Sequence, residues 1–179
     1  MSPQEPWYLR LWRFLLESKI KQDLGPKAVA VSVPIVATGY ATPQPPVGVK
    51  ESRNLDDCEP DLVSRYAKVK EEFRALTGMD LFETTTWRSK ERQAELYAQG
   101  RTSPGQIVTN IDGVKSRSRH NFYPSQAIDV CVDSDPGPGK VAVWDSKLYA
   151  PLGPLCVKHG LVWGGNFKHL PDYPHLEMA

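Results

Sequence analysis

Hydrophobic residues recur at helical spacing through the middle of the chain. Between Pro60 and Gly78, apolar side chains return every three or four residues, as expected for one face of a helix. The residues of this stripe are Leu62, Tyr66, Val69, Phe73 and Leu76. Pro60 suits a first helical turn and Gly78 a C-terminal cap, so the pattern predicts a helix between them. A shorter helix is predicted from Ser89, which can cap its N-terminus, through Gln99.

Short segments that favour strands follow these helices. Leu81–Trp87 is rich in threonine and aromatic residues. Ala127–Val132 alternates, with three β-branched residues facing the expected core and Asp129 on the opposite face between two small neighbours. A helix interrupted by prolines is predicted over Lys147–His159, and a short strand over Leu161–Trp163. Together these elements predict an α+β fold, in which helices flank a small antiparallel sheet.

The first 55 residues differ in pattern from the rest of the chain. Trp7–Lys21 predicts an amphipathic helix, and the residues of its apolar face are Tyr8, Leu11, Trp12 and Leu15. A proline-rich stretch follows to about Asn54 and predicts an extended arm. We therefore expect two parts, a helix with its arm over 1–55 and a compact domain over 56–179. The exposed apolar face of the helix requires a cover, either its own domain, another protein or a membrane surface.

Composition narrows the classes of partner. Hydrophobic residues make up 40% of the chain and charged residues 24%, as in soluble globular proteins. The net charge of +1 gives no global sign of nucleic-acid binding. The longest mainly apolar run, Ala28–Ala37, is about half the ~20 residues of a membrane span. Three widely spaced cysteines (Cys58, Cys131 and Cys156) favour neither disulfides nor a thiolate metal site.

The polar residues that could carry chemistry lie in the second half of the chain. His120 precedes Asp129 by nine residues, a distance that suits a turn returning to a second strand. Near the C-terminus, Asp172 and His175 flank a proline-containing turn. Two imidazoles and one carboxylate form a three-ligand zinc set that leaves the fourth position for water, and the spare acid Asp172 could take a proton from that water.

Spacing alone does not select the ligands. The chain has four histidines, so His159 and His169 compete with the two chosen imidazoles. Asp133 and Asp135 compete with Asp129 as the carboxylate. On spacing alone, an ordinary strand with a solvated aspartate is the more common arrangement.

Three ordered motifs between about residue 56 and the C-terminus resemble a family of zinc peptidases. The family includes D-alanyl-D-alanine carboxypeptidases and dipeptidases and phage L-alanyl-D-glutamate endopeptidases. The motifs are Thr86-Trp87-Arg88-Ser89-x-x-x-Gln93, Ser118-x-His120 with Ala127-x-Asp129, and Trp163-Gly164-Gly165 with Asp172-x-x-His175-x-Glu177.

The resemblance implies a role for five residues. His120, Asp129 and His175 correspond to the zinc ligands, and Asp172 to the general base. Arg88 corresponds to the arginine that steadies the scissile carbonyl or its oxyanion. One departure concerns the segment from His120 to Asp129, which is two residues longer than the family pattern and lacks its glycine. Two added residues preserve strand parity, so a hairpin could still bring the two side chains together.

The function implied is zinc-dependent hydrolysis of a peptide bond in the peptidoglycan stem, with L-Ala-D-Glu as the first choice. The resemblance also suggests a phage lysis enzyme, encoded by the phage and present in the host cytoplasm before lysis, or a wall-degrading component of the virion. The Trp7–Lys21 helix would then suit a virion or other protein partner. The alternatives are a D-Ala-D-Ala carboxypeptidase or dipeptidase, and a non-catalytic binding or assembly module that zinc supports.

Overall fold

The computed structural model describes residues 44–135 and 137–179. The predicted Trp7–Lys21 helix and most of the proline-rich arm lie outside these residues, so their structure and partners stay predictions. Within the two described ranges, no helix is both long enough and apolar enough to cross a membrane.

Across the described residues, three α-helices surround one antiparallel sheet. The helices are α1 (Pro60–Thr77), α2 (Lys90–Ala98) and α3 (Leu152–Lys158), and the strands are β1 (Asp80–Thr85), β2 (Ala127–Asp133), β3 (Ala142–Val143), β4 (Leu161–Trp163) and β5 (His175–Met178). The strand order is β1-β2-β5-β4, and β3 pairs with β2. Helix α1 packs on β1 and α3, and α3 packs on β4. The predicted α+β class is confirmed.

Local signals placed both ends of α1 and the start of α2 correctly. Pro60 opens α1, and Gly78 ends it in the left-handed conformation at φ 74°, donating its N–H to Arg74 O. Ser89 Oγ accepts a hydrogen bond from Arg92 N at the start of α2. At Pro151, the predicted Lys147–His159 helix divides into a 3₁₀ turn, Ser146–Tyr149, and α3, because a proline is tolerated in a first helical turn but interrupts a longer helix.

Strand β2 is central and is buried on both faces, which differs from the sequence-based expectation. Ile128, Val130 and Val132 face the core as predicted, but Ala127 and Cys131 on the opposite face are also 0% exposed. Cys131 is covered on this side, with its Sγ lying 3.7 Å from Val143 O. Asp129 is the one residue of this strand that is not fully buried.

The predicted hairpin between His120 and Asp129 is wrong. His120 lies in a 3₁₀ turn, Arg119–Asn121, and β2 pairs instead with β1, β3 and β5. Strand parity therefore does not orient His120. The capping box of this turn, in which Ser118 and Asn121 exchange hydrogen bonds, provides the local geometry.

Residues just before Asp56 hydrogen-bond with the segment that carries Arg88. Ser52 N donates to Trp87 O at 2.8 Å, and Thr86 N donates to Ser52 O at 2.8 Å. Ser89 N donates to Lys50 O at 2.8 Å. The end of the proline-rich stretch is thus built into the fold, while a domain boundary near Asp56 stays a prediction.

Candidate metal centre

The three predicted ligands meet although they come from three separate elements. His120 lies on its 3₁₀ turn, Asp129 on β2, and His175 is the first residue of β5. Asp129 and His175 are directly opposite each other in the β2–β5 ladder, which places both side chains on one face. Asp129 Oδ1 lies 3.0 Å from His120 Nε2 and 2.9 Å from His175 Nδ1. The two ring nitrogens are 3.2 Å apart.

In each histidine, one ring nitrogen faces the cluster and the other, outer nitrogen contacts a neighbouring acceptor. The outer contact determines which nitrogen carries the proton. His120 Nδ1 lies 2.6 Å from Thr86 O, and since a carbonyl only accepts, this nitrogen carries the proton. His175 Nε2 lies 3.0 Å from a carboxylate oxygen of Glu177 and likewise donates. A neutral ring then presents an unshared electron pair on its inner nitrogen. Three acceptor atoms at contact distance require a positive charge among them.

This donor set fits a catalytic zinc ion. Two imidazole nitrogens and one carboxylate oxygen are the ligands that such sites use, with the outer nitrogen of each imidazole held by a carbonyl or carboxylate. Among the described residues, the rivals lie elsewhere. His159 Nε2 contacts Glu72 at 3.1 Å, and Asp133 accepts a hydrogen bond from Val141 N at the other end of β2. His169 lines the adjoining cavity but is exposed and outside the cluster.

The ionisation of the cluster reflects its mutual contacts. Burial alone would raise the pKa of Asp129, but the charges and hydrogen bonds of His120 and His175 hold it well below its usual range. Burial lowers the pKa of His175, but its hydrogen bonds with Asp129 and Glu177 outweigh this effect and raise the pKa to about 10. A proton and a metal ion therefore compete for the same nitrogen lone pair.

Asp172 lies beside the cluster and has the opposite character. It lines the same cavity of about 760 Å³ as the three candidate ligands. Its backbone N donates to Gly164 O at 2.9 Å, and its carbonyl accepts from His175 N at 3.2 Å. Burial, together with the negative charge of Asp129, raises its pKa above the ordinary carboxyl value. A carboxylate whose pKa is raised is a stronger base than an exposed one.

Arg88 is held on three sides. Its Nε donates to Glu51 at 3.2 Å, one terminal nitrogen to Gln93 at 3.1 Å, and the other to Asp129 Oδ2 at 3.2 Å. The side chain is 11% exposed, and it lines the cavity. These three contacts use three of its five N–H groups, so each terminal nitrogen keeps one for a ligand.

Sequence reasoning missed three supporting contacts. Glu51 lies in the proline-rich stretch and carries no motif signal. Gln93 and Glu177 occur in the quoted motifs without an assigned role. Gln93 is 1% exposed and connects Arg88 to the cavity wall through a 2.8 Å hydrogen bond to Ile111 O. The strand that holds His175 and Glu177 was also missed, because the prolines just before it favoured a tight turn there instead.

The lengthened segment between His120 and Asp129 turns away from the cavity. Tyr123 Oη donates to Asp57 Oδ1 at 2.8 Å, and Ser125 N donates to Asp57 O at 2.7 Å. Residues 121–126 are absent from the cavity lining. The departure from the family pattern is therefore anchored on the far side and leaves the arrangement of the three candidate ligands intact.

Comparisons with known proteins agree with the motifs. The profile of the D-alanyl-D-alanine carboxypeptidase family of M15 peptidases matches residues 112–178. The peptidoglycan L-alanyl-D-glutamate endopeptidase CwlK of Bacillus subtilis (strain 168) is 33% identical in an alignment of 126 residues, which covers 65% of this chain and 71% of CwlK. The L-Ala D-Glu endopeptidase ChiX of Serratia marcescens has 26% identity and a TM-score of 0.47, covering 70% of this chain and 84% of that chain. With its ordered motifs and its identity to CwlK, the chain belongs to the M15 peptidase family.

Proposed function

We propose that the chain is a zinc-dependent peptidoglycan endopeptidase that hydrolyses the L-Ala-D-Glu bond of the stem peptide. The observation that carries the proposal is the convergence of three acceptor atoms, from His120, Asp129 and His175, at a cavity that Asp172 also lines. A purely structural zinc site would close its coordination with four protein ligands, whereas this set supplies three. Similarity to CwlK supports the choice of bond.

In this proposal, His120, Asp129 and His175 hold the zinc ion. Thr86 O and Glu177 fix the tautomers and the orientation of the two rings, as outer partners do at zinc sites generally. Bound zinc would lower the pKa of a coordinated water to about 7 and polarise the carbonyl of the substrate.

Asp172 acts as the general base and then as the general acid during hydrolysis. Its carboxylate accepts a proton from the water whose oxygen attacks the scissile carbonyl carbon. As the C–N bond breaks, the same proton passes to the nitrogen of the leaving amine. The raised pKa of Asp172 suits both steps, because it makes the carboxylate a stronger base than an exposed aspartate.

Arg88 stabilises negative charge on the carbonyl oxygen. Three contacts already orient the guanidinium, and each of its terminal nitrogens keeps one N–H group that can donate to the carbonyl oxygen. The side chain therefore needs little reorganisation during the reaction. The proposed setting is a phage lysis enzyme or a virion-borne component. The partner proposed for Trp7–Lys21 goes with that setting and lies outside the described residues.

Digestion of purified peptidoglycan tests the proposal. We expect mass spectrometry to find new C-terminal L-Ala and N-terminal D-Glu ends, with the activity lost on chelation and restored by zinc. Elemental analysis should find about one zinc per chain. Release of terminal D-Ala would instead indicate the carboxypeptidase alternative. A zinc-loaded chain that yields no product from any stem peptide would favour a binding or assembly module.

A further inference from the structure

One acidic residue that contacts the candidate site comes from outside the region that the family profile matches. Glu51 lies well before residues 112–178, at the end of the proline-rich stretch. Its backbone forms an isolated antiparallel bridge with Arg88. The neighbouring hydrogen bonds between Ser52 and the 86–87 segment fix the position of this bridge. Glu51 is therefore held beside Arg88 by the backbone and not by a flexible side chain alone.

The carboxylate of Glu51 accepts three hydrogen bonds. Its Oε1 accepts from Arg88 Nε at 3.2 Å and from Thr85 Oγ1 at 3.2 Å. Its Oε2 accepts from Arg92 Nε at 3.4 Å. The Glu51 side chain is 30% exposed, whereas that of Arg88 is 11% exposed. Loss of the carboxylate charge would weaken the hydrogen bond that a mostly buried Arg88 Nε donates, which favours movement of the guanidinium.

Movement of Arg88 would affect the candidate metal ligands through its hydrogen bond to the carboxylate of Asp129. Asp129 is shared, because its Oδ2 accepts from Arg88 while its Oδ1 faces both histidines. With Glu51 present, the positive charge of Arg88 is divided between two carboxylates. Without Glu51, that charge falls on Asp129 alone and weakens the attraction of Asp129 for a cation.

We propose that Glu51 is a positioning residue of the site, which acts through Arg88. It orients the guanidinium toward the substrate carbonyl and limits the pull of Arg88 on Asp129. The effect on turnover rests on the proposed function, whereas the effect on metal affinity needs only that the His120, Asp129 and His175 cluster binds a metal.

The full chain with Glu51→Gln tests this role. We expect kcat to fall about tenfold with little change in KM, because Arg88 acts on charge that develops in the transition state. Zinc affinity, measured by competition with a chelator, should fall several-fold. Glu51→Asp keeps the charge and should recover part of both losses. Glu95→Gln is the matched control, since Glu95 pairs with Lys50 and Arg92 but not with Arg88, and it should behave as wild type.

A double-mutant cycle separates positioning from a general loss of stability. In an Arg88→Ala background, Glu51→Gln should no longer change zinc affinity, because the residue through which it acts is gone. An equal loss of affinity in both backgrounds would overturn the proposal, and so would wild-type affinity and kcat in Glu51→Gln. The cycle uses no substrate. A wild-type chain that binds zinc but cleaves nothing would therefore contradict the proposed function and leave the Glu51–Arg88 coupling to be decided by the affinities.

Discussion

At the scale of single residues, two aspartates beside the same histidines have opposite properties. Asp129 offers one oxygen to His120 and His175 and the other to Arg88, and its pKa lies well below the usual range. The pKa of Asp172 is raised, because burial and the charge of Asp129 both disfavour its ionised form. A carboxylate that stays ionised suits a metal ligand, and one that readily takes a proton suits a base.

Asp172→Asn is expected to separate catalysis from metal binding. The substitution is close to isosteric, so zinc content and thermal stability should change little. Turnover should fall by about 10²–10⁴-fold, the typical contribution of general acid–base catalysis. Zinc stoichiometry and hydrolysis rate should be measured on the same preparations. Full activity would point to another acid such as Glu177, and loss of zinc would make Asp172 a ligand.

Asp129→Asn is the matched comparison for that experiment. An amide is a weaker metal ligand than a carboxylate and also loses its ion pair with Arg88, so zinc affinity and stability should fall together. His175→Ala should likewise lose zinc, whereas His159→Ala should keep it, because His159 contacts Glu72 away from the cluster. Retention of zinc by Asp129→Asn at wild-type affinity would remove Asp129 from the ligand set.

At the scale of elements, a close contact at Gly164 fixes the position of the turn that precedes β5. A Cβ atom on Gly164 would lie 2.5 Å from Asp172 O and 2.8 Å from His175 Cβ. Gly164 O also accepts the hydrogen bond from Asp172 N at 2.9 Å. The 3₁₀ turn Gly164–Asn166 thus packs directly on the segment that carries the proposed base and one proposed ligand.

Gly164→Ala should therefore displace the segment that carries Asp172 and His175. Since the added methyl would meet the backbone oxygen of Asp172 and the Cβ of His175, we expect a loss of stability of about 1–3 kcal/mol and weaker zinc binding. Thermal unfolding and chelator competition measure the two effects. Gly137→Ala is the control, because the nearest atoms to its added methyl belong to the side chain of Asp135. Unchanged stability and zinc affinity in Gly164→Ala would show that this contact does not seat the turn.

At the scale of the whole molecule, the cavity is lined by segments that are distant from one another along the chain. Helix α2, the loop at 107–111, the turn at 167–172 and strands β2 and β5 all contribute to its wall. Gln93 of α2 joins two of these segments through its hydrogen bond to Ile111 O, and it also accepts a hydrogen bond from Arg88. Residues 50–54 support the same region from outside through their hydrogen bonds to the 86–89 segment.

Two truncated chains test which residues the catalytic part requires. A chain that begins at residue 44 should fold, bind zinc and turn over as the full chain does. A chain that begins at Asp56 should still fold and bind zinc, but it should turn over more slowly, because it lacks Glu51 and the backbone contacts of Ser52. Circular dichroism, zinc analysis and hydrolysis rates provide the comparison. Failure of the longer chain to fold would show that residues before 44 contribute to the core.

Much of the fold was readable because its signals are local. Helix α1 has an apolar stripe with Pro60 at one end and Gly78 at the other, and each of these features acts within a few residues. The α+β class and the family followed from the order of such elements and motifs. Strand pairing was not readable in the same way. The expected hairpin was wrong, because nothing near Asp129 in the sequence records that its partner is His175, 46 residues later.

The sequence by itself determined the ends of α1, the start of α2, the family and the small set of side chains with suitable chemistry. Tertiary structure alone decided how they are used. Pairing of β2 with β5 put His175 opposite Asp129, and a capped 3₁₀ turn, not a hairpin, delivered His120. Glu51 became part of the site only through a backbone bridge to Arg88. Local propensities act over a few residues, whereas these contacts depend on which distant segments share one buried surface.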